Sequence, residues 1–209
     1  MKIGLILECT TDGPDWQDYS GWVTRILGNN VVVEQSSATN KKQLIQQAGA
    51  RALALLAEGC DKVFFIWDLW PAWGAKGTPP SQVADEVALQ QSLAAAGVTD
   101  PCVYFLCVNR MLETLLLVDG SALGTVLQIP LGRKTPGNNN KPYTQVAPKT
   151  YLDNWFRKAK KGAYLDYVHA VQIARQVNFA RLRAKTNEFP RLEDGLQQTP
   201  CAPPLAWTP

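Results

Sequence analysis

Val63-Phe64-Phe65-Ile66-Trp67 is apolar at every position and stops at Asp68. A strand with no polar alternation is buried on both faces, so it belongs in the middle of a parallel sheet with helices packed on each side. A second run, Ile3-Gly4-Leu5-Ile6-Leu7, stops in the same way at Glu8. Strands are expected at about Lys2 to Leu7, Val31 to Glu34, Lys62 to Trp67 and Cys102 to Val108. Segments of helical period separate them. The fold class that follows is α/β, a mostly parallel central sheet of about four strands flanked by helices.

Pro14 opens a helix over Asp15 to Leu27. Between Lys41 and Glu58, Leu44, Ala48, Ala52 and Leu56 recur every four residues and Gly59 follows as a stop, which predicts one long amphipathic helix. Leu69 to Pro80 is rich in Pro, Gly and Trp and reads as a loop, after which Ser81 caps a helix to about Ala96. A short apolar helix is expected within Arg110 to Asp119, and further helices over Thr150 to Lys160 and Ala163 to Lys185. Pro130 to Pro148 and Thr199 to Pro209 carry no period and read as irregular. The organisation expected is an α/β unit over residues 1–125, a connection over 126–149, a helical extension over 150–191 and an irregular tail over 192–209.

With 46% hydrophobic and 19% charged residues, the chain can bury a core and is not expected to be disordered. The net charge of +3 is unevenly spread: Thr150 to Arg191 holds nine Lys/Arg against three acids. A basic segment beside an acidic site suits a phosphate-rich partner, although a solvated helix face gives the same pattern. Cys9, Cys60, Cys102, Cys107 and Cys201 are odd in number and widely spaced, without zinc-site spacing. They are expected to be reduced, as in a cytoplasmic protein. No apolar stretch reaches the roughly 18 residues needed to cross a bilayer, and no leader pattern is present, so no membrane partner is expected.

Acids that end parallel strands meet at one crevice, because the carboxyl ends of such strands share an edge of the sheet. Glu8, Asp12, Asp68 and Glu113 are therefore candidate ligands for a divalent cation. Each acid taken singly serves equally well as a turn cap. Three segments in this order, Leu7-Glu8-Cys9-Thr10-Thr11-Asp12, Phe64-Phe65-Ile66-Trp67-Asp68 and Arg110-Met111-Leu112-Glu113-Thr114-Leu115-Leu116-Leu117-Val118-Asp119, resemble those of Toprim domains, named for topoisomerases and primases. The segments are similar to those of small stand-alone Toprim-like proteins of unknown function, often encoded beside ATPases in bacterial defence loci. Asn40-Lys41-Lys42-Gln43-Leu44 also looks like the Gly-Lys segment that precedes the second helix in those relatives. The likeness covers roughly Met1 to Leu123.

That resemblance implies a Mg²⁺-dependent (or Mn²⁺-dependent) phosphoesterase, probed best as a nuclease, like those related to overcoming-lysogenisation-defect proteins. It implies nucleic acid as substrate, a partner ATPase and a role in anti-phage defence, and it leaves homo-oligomerisation open. By position, Glu8 would be the general acid/base or a metal ligand, Asp12, Asp68 and Glu113 further acids on the metal, and Lys41 a catalytic residue facing a phosphate. Two departures stand out: Cys9 where the family has glycine, and Asp68-Leu69-Trp70 where it has Asp-x-Asp. Loss of that second acid removes a ligand and opens the alternative of a catalytically impaired subunit that serves as a structural or nucleic-acid-binding partner. Trp67, Trp70 and Trp73 fit packing or a protein partner, and stacking on bases is the other use for such rings. His169 fits a packed or surface helix face. Neither a P-loop nor a dinucleotide fingerprint occurs, so nucleotide cofactors are not expected.

Overall fold

The structure is a computed structural model, and it describes residues 1–10, 13–72, 77–129, 147–199 and 201. Four strands, β1 (Lys2–Leu7), β2 (Val32–Ser37), β3 (Lys62–Asp68) and β4 (Val103–Val108), form one all-parallel sheet in the order β2-β1-β3-β4. In register, Leu7 lies opposite Ile66 and Asp68 opposite Val108. The all-parallel α/β fold is the one expected from the apolar runs, and it is consistent with a Toprim-like architecture.

Strand alternation divides the core into two layers. Ile3, Leu5, Leu7, Phe64, Ile66, Tyr104, Leu106 and Val108 face one side. They pack against α1 (Pro14–Leu27), α5 (Leu112–Leu116), α6 (Gly120–Leu127) and the C-terminal helices α7 (Pro148–Lys158), α8 (Val171–Gln176), α9 (Phe179–Lys185) and α10 (Glu188–Gln197). Ile6, Val63, Phe65, Trp67, Val103 and Cys107 face the other side, under α2 (Lys41–Gln46), α3 (Ala48–Ala57) and α4 (Gln82–Ala95). Helices therefore cover both faces, as a strand with no polar residue demands. The C-terminal helices share the core of the sheet: Leu152, Phe156, Ile173, Leu182, Phe189 and Leu196 belong to the first layer.

Several helix boundaries differ from expectation, one through a contact with another helix and others at local caps. The helix expected over Lys41 to Glu58 is broken at Gln47. There the Ser92 hydroxyl of α4 donates to Gln46 O and accepts from Gly49 N, standing in for Ala50 N and Ile45 O, the partners that an unbroken α-helix would supply. Gly49 is also where α3 and α4 approach most tightly, since a Cβ there would sit 2.3 Å from Ser92 O. The single helix expected over Ala163 to Lys185 is instead a π-helical turn (Asp166–Ala170), α8 and α9. Asn178 separates the last two and caps α9 through Ala180 N. The short helix expected within Arg110 to Asp119 is α5, and a further helix, α6, follows it, capped by the Asp119 carboxylate at Ser121 N and Ala122 N.

Residues 192–197, expected in an irregular tail, are helical: Phe189, Leu192 and Leu196 lie on one buried face of α10. The expectation of five reduced cysteines is also corrected. Cys102 and Cys201, 99 residues apart, form a disulfide, while Cys9, Cys60 and Cys107 are free and buried. The connection expected over residues 126–149 begins inside α6 and ends inside α7, and its residues 130–146, like the tail beyond Cys201, lie outside the described residues. Among the described residues no helix is long and apolar enough to cross a membrane.

Lys62 fastens α10 to the sheet. Its buried ammonium donates to Gly195 O (2.7 Å), Leu196 O (2.7 Å) and Gln198 O (2.6 Å), the carbonyls a helix leaves unpaired at its carboxyl end. Replacing it by Met keeps the apolar stem and removes these charge-assisted bonds. Lys62→Met is expected to destabilise the chain by about 2 to 3 kcal/mol, read as a lower urea midpoint. An unchanged midpoint would contradict this account of how α10 is held.

Candidate metal and phosphate site

The order β2-β1-β3-β4 places the next strand after β1 on one side of it and β3 on the other. Between β1 and β3 the chain direction across the sheet reverses, and at such a point the helices diverge and leave a crevice beyond the carboxyl ends. Glu8 follows β1 and Asp68 ends β3, so both stand at this crevice. The alternation sends them to opposite sides of the sheet edge. Asp68 continues the face of Phe64 and Ile66, towards α1. Glu8 follows Leu7 and leans towards α2 and Lys41.

Burial raises the Glu8 carboxyl to about 7, with Lys41 and the backbone amides of Lys41 and Asp68 opposing the shift. One of its oxygens, Oε2, is buried without a hydrogen-bond partner. Asp68 is pushed well above the carboxylate range by burial and then by the charges of Asp15, Glu113 and Glu8. Glu113, in the first turn of α5, is buried and also raised by burial, against the pull of Lys149. Of the four acids expected at a common site, Glu8 and Glu113 therefore both act by charge on Asp68. Asp12, the fourth, lies outside the described residues.

Two further acids join them from α1. Asp15, in its first turn, is raised to about 7 by burial and by Glu113. Asp18, one turn on, is 2% exposed, has neither carboxylate oxygen hydrogen-bonded, and is raised to about 8 by burial, Asp15 and Glu113, with Arg175 opposing. The Tyr19 hydroxyl beside them is also buried and unpartnered. A basic group from the C-terminal half reaches into the same cluster: Lys149 Nζ is 3.5 Å from Glu113 Oε1 and 3.0 Å from Asp166 Oδ2. Tyr164 donates to Glu113 Oε1 at 3.4 Å.

Cys9, beside Glu8, is pushed up to about 12 by burial and Asp15, which leaves it a protonated thiol at neutral pH and no nucleophile. Lys41 does not point outward. Its ammonium is 3% exposed, donates to Leu69 O (2.8 Å) and Pro71 O (2.6 Å), and lies 3.6 Å from Asp85 Oδ2. With its protons directed at these oxygens, Lys41 braces the segment after β3 and serves Glu8 as a neighbouring positive charge. Trp67 is buried and donates to Asp85 Oδ2 at 3.0 Å, whereas Trp70 is 47% exposed; Trp73 lies outside the described residues. His169 packs on Phe156, with ring centroids 4.2 Å apart, and its Nδ1 accepts from Leu165 N. It is a packed residue, as its helical surroundings suggested.

Among the described residues no group of three or more Asp, Glu, His or Cys side chains is arranged as a ready-made metal cage. That does not conflict with Mg²⁺, which is held by one or two carboxylates and keeps several waters. The donor set fits such an ion: crowded carboxylates driven towards neutrality, and a buried Glu8 oxygen with no partner. Glu8 and Asp68 would hold it.

A family model described as a domain of unknown function, DUF4276, matches residues 20–197. The chain belongs to the DUF4276 family. The DUF4276 match includes Asp68, Glu113 and Lys149 and begins after Glu8, Asp15 and Asp18. No curated protein and no solved structure matches the chain.

Asp18 gives the cluster a signature in stability. Its carboxyl titrates at about 8 when folded and at about 4 when unfolded. The folded state therefore binds a proton that the unfolded chain has released, and this stability, complete below pH ~4, is lost as pH rises through the folded value. Asp18→Asn keeps the shape and never ionises. The variant is expected to melt several degrees higher than the parent at pH 8.5 and nearly with it at pH 5; equal melting at both would remove Asp18 from the cluster.

Proposed function

We propose that this chain is a Mg²⁺-dependent phosphoesterase, Toprim-like in kind, that cleaves phosphodiester bonds of nucleic acid and acts with a partner ATPase in anti-phage defence. The observation that carries the reading is Glu8: a carboxyl at the switch point, held near neutral pKa, with one oxygen unengaged and Asp68 across the crevice. A group that titrates near the working pH is suited both to accept a proton from an attacking water and to return one to a leaving oxygen. When bound, Mg²⁺ supplies charge neutralisation at a phosphate oxygen and lowers the pKa of its own water.

The chain's own residues would divide the work. Glu8 moves the proton, and Asp68, with Asp15 behind it, supplies the negative field that draws a cation in. Lys149 tempers the field on the side of Glu113. The partner ATPase rests on the resemblance to Toprim-like proteins encoded beside ATPases.

A second reading is favoured by two observations: Lys41 is committed to the protein interior, and Trp70 stands where a second acid would. On that reading the chain binds nucleic acid for a partner without cutting it. Incubation with plasmid and with labelled oligonucleotides in Mg²⁺ or Mn²⁺ separates the two. Under the first, cleavage requires the metal and Glu8→Gln reduces its rate by at least ~100-fold. Binding with no cleavage by the parent would leave the second, and a Glu8→Gln variant as active as the parent would remove Glu8 from the chemistry.

A further inference from the structure

Beside the acidic crevice, on the same edge of the sheet, a groove of about 370 Å³ opens beyond the ends of β3 and β4. Leu69, which follows Asp68, and Asn109, which follows β4, form part of its wall, so the groove and the crevice are neighbours. Lys185, Asn187 and Arg191 line it from α9 and α10, and Gln82 from α4. Lys185, at the end of α9, is exposed and makes no ion pair among the described residues. The acid in the wall, Glu188, is buried, and its carboxylate accepts from Asn109 N (3.2 Å) and Asn187 N (3.1 Å). It fastens β4 to α10 and fixes the width of the groove.

Trp70, next in the chain after the groove's Leu69, is 47% exposed, and its backbone amide donates to the carbonyl of Arg110, which follows the groove's Asn109, at 3.1 Å. Arg110 has the left-handed backbone angle φ 70°, rare for a residue with a side chain, and its guanidinium lies 5.9 Å from the Trp70 ring centroid. Strain of this kind persists where the surroundings impose it, and here it sets a cation over an exposed indole. A cationic groove with a flat aromatic platform at its mouth matches the chemistry of an unpaired nucleotide chain: phosphates along the positive wall and a base on the ring.

We infer that the groove lined by Lys185 and Arg191, with Trp70 at its lip, binds the backbone and a base of single-stranded nucleic acid and leads the strand to the crevice of Glu8 and Asp68. The inference deepens the phosphoesterase reading by naming where its substrate lies, and it rests on that reading only for the strand's destination. Within a duplex each base face is covered by its stacked neighbours, so that only the terminal pair would offer Trp70 a face. The same groove recruits positive charge from the C-terminal helices, which the acid cluster itself uses through Lys149 and Arg175.

The test is fluorescence anisotropy with labelled oligothymidylate and the full chain in EDTA, so that binding is read without cleavage. Lys185→Ala is expected to weaken binding about fivefold and to lower the slope of log affinity against log salt by ~0.7. Trp70→Ala is expected to weaken binding about tenfold with the salt slope unchanged. Lys2→Ala removes the same charge from the opposite end of the sheet and is expected to leave affinity within about twofold. Wild-type affinity in both groove variants, no binding by the parent, or equal affinity for a blunt duplex would each overturn the groove assignment. Cleavage by a parent whose groove variants bind normally would overturn the groove alone, and a groove that behaves as described in a parent that never cleaves would overturn the phosphoesterase reading alone.

Discussion

The carboxylates crowded at the β1–β3 switch point are the constraint on which the rest of this structure turns. Burying one acid is costly, and burying several side by side is tolerated only if they hold protons or share a cation. Glu8, Asp15, Asp18, Asp68 and Glu113 are all raised by burial, and each also senses a neighbouring acid. A fold selected for stability alone would place apolar residues at these positions, as it does one residue earlier at Leu7 and Trp67. The concentration of strain at one edge of an otherwise well-packed sheet is the physical ground for a functional reading of this edge.

Three lysines show how the surroundings manage that charge. Lys41 is buried and ties the segment after β3 to α2 while facing Glu8. Lys149 reaches from α7 to Glu113 and Asp166, so the C-terminal helices are connected electrostatically to the α/β unit as well as through its apolar core. Lys62 works at the far end of β3, pinning α10 by its terminal carbonyls. Each uses one long flexible stem for a different purpose, and only their contacts distinguish them.

Much of the fold was legible in the sequence because strand ends are written where apolar runs stop. Glu8 and Asp68 could be placed together from that rule alone, and Ser81 could be read as a cap, which it is at Ala84 N. Asp15 could not be read as a site residue: an acid in the first turn after a proline looks like an ordinary complement to the helix dipole. Lys149 was hidden because its contact with Glu113 is made across the fold, beyond a long connection. The break at Gln47 depends on Ser92 from another helix, and no local signal carries it. In α10 the period of Phe189, Leu192 and Leu196 is present but is masked by Pro190 and Gly195. The pairing of Cys102 with Cys201 across 99 residues was likewise beyond the reach of spacing arguments.

The charge state of the crevice is open to direct observation by ¹³C NMR titration of the Asp and Glu side-chain carboxyls, with and without millimolar Mg²⁺. In the metal-free chain, Glu8 and Asp15 are expected to titrate near 7; a bound cation favours the ionised form, so Mg²⁺ is expected to move both down towards the ordinary value of about 4. Titration near 4 in both conditions, unmoved by the metal, would contradict the account of a shared acidic site.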